Sequence, residues 1–252
     1  MAKEIQKQQP KELVPIDLFE GESSGFEGVS SSTFKTPFLK ILQALSPEIK
    51  PKDPKFLPKA QQGQFCNSAT QQLYDTIEVV VLKIEHSLIT WKPNRGGFMG
   101  RVNKSQETSI VSQKDGIKKW DSEGNSIMDT IEFFCMNIND PSDMFILSLS
   151  AASFKHARTF ATRLRLLKAD GKLVNVTWAG IWKILTIEES NEKGSWWTIG
   201  SSPEFVRFIT KEEKDNFISP AKHLLENADI DYSSVEGEHV EENTEEKTET
   251  VF

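Results

Sequence analysis

Lys155, Arg158, Arg163, Arg165 and Lys168 stand close together in the chain with no acidic residue among them. Lys155, Arg158, Thr162 and Arg165 recur at three and four. On a helix they share one face, roughly opposite Phe154, Ala157, Phe160, Ala161, Leu164 and Leu167. A solvated helix usually intersperses Glu for i,i+4 pairing; here like charges repel, at a cost that an anionic partner relieves. The chemistry offered is neutralisation of phosphates. Pairing of these cations with acids elsewhere in the fold remains the plainer alternative.

A second candidate is the stretch PNRGGFMGR, residues 93–101. It lacks the order of a phosphate-binding loop and has no helix after it, so a hairpin turn is its plain reading. As a site, Arg95 and Arg101 would touch a phosphate backbone while Phe98 between them stacks on a base. Base stacking on an aromatic is worth about 1–3 kcal/mol per base. Trp178 and Trp182 alternate with valines and isoleucine and read as core. Trp196 and Trp197 are adjacent, so on a strand one of them points away from the core, and Trp197 is taken as a further stacking candidate.

Enzyme chemistry finds little purchase. The carboxylate pairs Glu188-Glu189 and Glu212-Glu213 sit in solvent-rich contexts without a cleft, and Asp140 and Asp143 flank a proline turn that explains them. There is no G-x-S-x-G. Cys66 and Cys135, with His86, His156, His223 and His239, are scattered and form neither C-x-x-C nor H-x-x-x-H. No catalytic residue, metal site or cofactor is expected, and the two cysteines read as small apolar thiols.

The net charge of −7 conceals a division. From Glu226 to Phe252 there are ten acids and one base, Lys247, giving −9; of 37 acids and 30 bases, 27 and 29 remain, so residues 1–225 carry +2. Such asymmetry permits an anionic partner. No apolar run approaches the roughly 18 residues of a membrane span, and the polar start is no secretory signal. A cytoplasmic location and no membrane partner are the expectation.

The elements that must position these residues follow from pattern. Residues 1–30 are polar and rich in glycine and serine, a flexible arm. Pro37 through Leu45 has a helical apolar face. Thr76–Trp91 is the clearest strand, and FMGRV begins another. Further strands are expected over 130–137 and 143–150, separated by an Asp140-Pro141 turn, with hairpin turns at Asp115-Gly116 and around Gly124. The basic helix spans 153–168 and is stopped by Asp170-Gly171. A strand follows from Leu173 to about Glu188, then a short partner around Trp196–Ile199, and a helical region over 204–227 interrupted near Ser219-Pro220.

Five to seven strands with one inserted helix define an α+β class: a small curved antiparallel sheet, or partly open OB-like barrel, with C-terminal helices. The domains are then an arm (1–30), one nucleic-acid-binding domain (31–227) and a disordered acidic tail (228–252). The tail ends in Val251-Phe252, an apolar anchor beside a free carboxylate that a basic-rimmed pocket can capture.

Glu241, Glu242, Glu245, Glu246, Glu249 and terminal Phe252 resemble the tail of phage and bacterial single-stranded DNA-binding proteins, in particular the replicative type of bacteriophage T7. The segments FKTPFLKILQALSPEIK and ITWKPNRGGFMGR also resemble phage proteins over Phe34 to Asn227. The first resemblance implies an OB-type barrel that coats single-stranded DNA in replication or recombination. It also implies a tail that contacts replication proteins such as polymerase or helicase-primase; a homodimer is left open. The expected DNA contacts are Arg95, Phe98, Arg101, Lys155, Arg158, Arg165 and Trp197. The rival readings are an interaction or DNA-mimic protein acting through its tail, and a metal-dependent DNA-processing enzyme.

Overall fold

The computed structural model describes residues 36–93, 97–192 and 194–226. The expected N-terminal arm, Arg95 and the tail with Glu241, Glu242, Glu245, Glu246, Glu249 and Phe252 lie outside the described residues.

The chain builds a curved, partly open antiparallel sheet, an α+β fold of the OB-like kind. Its strands are β1 (Leu39–Ile41), β2 (Phe65–Asn67), β3 (Leu73–Tyr74), β4 (Thr76–Trp91), β5 (Phe98–Asn103), β6 (Gln113–Asp115), β7 (Lys118–Trp120), β8 (Ser126–Asn137), β9 (Asp140–Ser150), β10 (Lys168–Ala169), β11 (Lys172–Leu173), β12 (Gly180–Asn191), β13 (Gly194–Ile199) and β14 (Glu204–Phe208). The helices are α1 (Glu107–Ile110), α2 (Phe154–Arg165), α3 (Lys211–Glu213) and α4 (Ser219–Glu226), the last two joined by a π-helical turn, Lys214–Ile218. Fourteen strands among the described residues exceed the five to seven expected. The excess consists of short pieces: β1, β2, β3, β6, β7, β10 and β11 have two or three residues each, whereas β4 is long enough to pair along one side with β8 and along the other with β12 and then β5.

Stripped of additions, the order β4, β8, β9, α2, β12, β13 is that of a five-stranded OB barrel with its helix between the third and fourth strands. Two contacts bring the open ends of the sheet together. Phe38 bridges to Ile146 of β9. At the other end the Gln43 side-chain amide accepts from Trp197 N at 2.8 Å and donates to Trp197 O at 2.8 Å. One amide thereby pairs the Trp197 backbone on the edge of β13 as a neighbouring strand would.

The imperfect alternation of β4 has a physical cause. A bulge at Leu82 shifts the register between Val81 and Lys83. Ile77, Val79 and Val81 before it, and Ile84 and Leu88 after it, therefore stay on one side. That side carries the main core, with Phe65, Ile131, Phe133, Cys135, Leu147, Trp182 and Ile184 packed beneath Ala157, Phe160 and Leu164 of α2. Phe133 and Phe160 stack at 5.0 Å. On the outer side, Ile218 and Ala221 of the C-terminal helices cover Val80, Leu82, Met136 and Ile181, while Phe38 packs on Phe134 and Ile146.

Several local expectations are corrected. Residues 37–45 contain a strand, β1, because Leu39–Ile41 pairs with β2, burying Leu39 and Ile41 on one face while Phe38 and Leu42 are buried on the other; apolar residues at three and four fit either element. The strand expected from Leu173 breaks at a 3-10 turn, Thr177–Ala179, where the Thr177 hydroxyl donates to Leu82 O at 3.1 Å. Residues 204–208 form β14, paired with β12, and the helix begins only at Lys211 behind a Thr210–Glu213 capping box. The β8–β9 turn is Ile138-Asn139, two residues before Asp140-Pro141. Asp170-Gly171, with φ of 49° and 75°, closes the β10–β11 hairpin, and α2 ends earlier at Arg165. Cys66 and Cys135 are buried free thiols; burial pushes Cys66 up to about 11. Among the described residues no helix is long and apolar enough to cross a membrane.

Candidate nucleic-acid interface

The helix α2 carries the cations because its other face must bury. His156, Ala157, Phe160 and Leu164 go inward, which turns Lys155, Arg158, Thr162 and Arg165 to the exterior. Arg158 and Arg165 are exposed and have no carboxylate within 4 Å among the described residues. Seven residues apart, they sit about 10 Å from one another along the helix axis. Lys168 and Lys172 of the β10–β11 hairpin extend the same basic character beyond the helix, and both are exposed. From Met144 to Ile187 the chain holds seven Lys and Arg against one acid, Asp170. That count is the signal by which the sequence could have added Lys172 to the site.

Lys155 stands apart from the arginines. Its Nζ lies 2.8 Å from Glu189 of β12, and Glu189 also meets His156 Nε2 at 3.0 Å. The hydrogen bond from Lys155, joined by His156, holds the Glu189 carboxyl below its usual range against the opposing effect of burial. Lys155 keeps most of its side chain in solvent, so this is a surface pair of modest worth. Arg163 turns the other way and lies over the Trp182 ring at 5.8 Å.

The hairpin candidates have a different setting. The stretch 93–101 does connect two antiparallel strands, β4 and β5. Phe98 packs edge-on to Trp91 at 6.1 Å and against the Phe38, Phe134 and Ile146 cluster. Arg101 is engaged by two carboxylates: Nε donates to Glu132 Oε2 at 2.8 Å, and Nη2 reaches Glu85. Glu132 is fully buried and also accepts from the Ser87 hydroxyl at 2.6 Å. Burial pushes the Glu85 carboxyl up, but Lys83 and Arg101 outweigh it and hold it below its usual range. This guanidinium neutralises the protein's own buried acids.

Trp197 is half-buried, and its ring lies against Gly63, where an added Cβ would fall 2.5 Å from the indole. Trp196 occupies the opposite side of β13, shared with Glu189 and with Thr198, whose hydroxyl bonds Ser153 at 2.8 Å. The structure thus brings Lys155, Arg158 and Arg165 together on α2. It sets Phe98 and Arg101 on a different part of the sheet and turns the Trp197 ring onto a loop.

OB barrels take oligonucleotides on the outer face of their second and third strands and on the flanking loops. Here that face belongs to β8 and β9, and it is covered by Phe38, Phe98, Ile218 and Ala221 of the same chain. The basic surface lies instead on the helix that packs beneath the inner core.

No curated protein and no solved structure matches the chain. A family model described as Pam3 phage gp34-like protein matches residues 7–239, nearly the whole length, and the chain belongs to that phage protein family.

Proposed function

We propose that this phage protein binds single-stranded DNA without catalysis and with little sequence preference, in replication or recombination within the host cytoplasm. Arg158 and Arg165, with Lys155 beside them and Lys168 and Lys172 beyond, neutralise phosphates. The acidic tail, 228–252, regulates this binding and contacts partner proteins such as polymerase or helicase-primase. One observation carries the reading: arginines on α2 that are exposed and have no acid in reach among the described residues, in a stretch almost free of acids. A polyanion supplies the countercharge that the fold withholds.

A second reading, an interaction or DNA-mimic protein acting through its tail, draws support from the covered outer face of β8 and β9. Fluorescence titration of the full chain with labelled poly-dT, repeated without residues 227–252 and over a salt series, separates the two. Binding that weakens with salt and tightens without the tail supports the DNA reading. No binding at low salt in either form removes it and leaves the interaction reading.

A further inference from the structure

The C-terminal helices and the 3-10 turn Thr177–Ala179 form a half-open depression of about 290 Å³ lined by Trp178, Lys214, Ile218, Ser219, Lys222 and His223. None of the six is acidic. Ile218 is buried and anchors the helix to the barrel, which places Lys214 and Lys222, one turn to either side, at the margin of the depression. The π-helical turn contributes to the arrangement: Ser219 N–H donates to Lys214 O, five residues back, and the wider turn brings Lys214 and Ser219 to the same side. Such π-turns are frequent at functional sites. The Lys222 ammonium lies 5.8 Å from the centre of the Trp178 ring. Of the neighbouring acids, Glu213 is occupied by Arg207 at 2.6 Å, while Asp215 follows Lys214 in the π-helical turn itself.

We infer that this pocket binds a terminal phosphate monoester next to a planar base, the chemistry shared by a mononucleotide and by the phosphorylated end of a DNA strand. Two ammonium groups match the charge of a monoester, close to −2 at neutral pH, better than the single charge of an internal phosphodiester. The Ser219 hydroxyl adds a neutral donor, and Trp178 supplies a flat wall. The volume falls just under the lower bound for ligand pockets, about 300 Å³, so the depression seats no more than one nucleotide at a time. The site is separate from the basic face of α2: it flanks the outer-face cluster of the sheet, whereas α2 packs on the inner core.

The test is titration of the full chain with dTMP, thymidine and inorganic phosphate, and with oligo-dT carrying a 5′-phosphate, a 3′-phosphate or hydroxyl ends. Tryptophan fluorescence and calorimetry are the readouts. The expectation is saturable dTMP binding at least ten-fold tighter than thymidine. It weakens at least ten-fold in Lys214→Ala/Lys222→Ala and in the milder Lys214→Gln/Lys222→Gln, both native by circular dichroism. Trp178→Phe loses the fluorescence change. An end phosphate that raises oligonucleotide affinity in the wild type but not in the lysine variants assigns the strand end; dTMP binding with no end effect assigns the free nucleotide. Equal affinity for dTMP and thymidine, or dTMP binding indifferent to both lysine pairs, overturns the proposal. Binding of hydroxyl-ended oligo-dT reports on α2 alone, so the two readings fail separately.

Discussion

On the sheet, Lys83, Arg101, Lys104 and Lys119 are each held against carboxylates, while on α2 Arg158 and Arg165 face solvent with no acid in reach among the described residues. Both regions are rich in cations, and sequence alone does not tell them apart. The sheet cations answer acids that the fold itself buries, above all Glu132, so their charge is spent internally. Arg158 and Arg165 lie on an element whose inner face is filled, and no acid among the described residues takes up their charge. The first group therefore serves stability, and the second is available to an anion. Lys155, paired with Glu189 yet mostly exposed, stands between them.

The largest expected effect is on the sheet. Arg101→Ala leaves Glu132 buried without its cation, and breaking a buried pair from one side costs about 3–5 kcal/mol. Urea denaturation should show this loss, while affinity for poly-dT changes by less than about two-fold among the folded molecules. Replacing both partners, Arg101→Met with Glu132→Leu, should restore much of the stability, because no orphaned charge remains. A stable Arg101→Ala protein that binds DNA poorly would erase the distinction between the two regions.

The reverse experiment is on α2. Arg158→Glu with Arg165→Glu should lower poly-dT affinity about 10–100-fold at low salt. The slope of log affinity against log salt should become shallower by about 0.7 for each lost phosphate contact. Unfolding free energy should stay within about 0.5 kcal/mol, as for exposed positions without partners.

A pH titration sharpens the same contrast. Burial pushes the Asp129 carboxyl up, but Lys104 and Lys119 outweigh it and hold it at about 2. Because the folded value lies below that of the unfolded chain, near 4, the stabilisation is complete above about pH 4 and is lost as pH falls towards 2. The amount at stake is about 2 kcal/mol. Acid denaturation of Lys104→Met/Lys119→Met should lose most of this pH dependence, whereas the α2 double variant should keep it.

How much of this was legible before the structure depends on whether a signal is local. Thr76–Trp91 is a strand from its β-branched centre alone, and the spacing from Phe154 to Leu164 fixes α2 and its outward cations. What was not legible depends on partners far along the chain. Arg101 and Arg158 look alike in sequence, and only the pairing of β4 with β5 and β8 brings Glu85 and Glu132 to the former. Phe38, Leu39, Ile41 and Leu42 suggest a helix until β2 and β9 supply the pairing that makes β1 a strand. The orientation of Trp197 depended on Gly63, 134 positions away, a contact that no periodicity encodes.

The smallest expected effect asks whether an aromatic contributes anything beyond the helix cations. Gln43→Ala removes both hydrogen bonds that fasten Trp197 to the β1 side, at a cost of about 1 kcal/mol once water replaces the amide. It also frees the edge of β13, so self-association should rise at high concentration, as sedimentation velocity would show. If the α2 cations alone hold the strand, poly-dT affinity stays unchanged although the Trp197 backbone is no longer fastened. An affinity gain that Trp197→Leu then abolishes would show that the indole joins the site once released, and the interface would have to be drawn across α2 and β13 together.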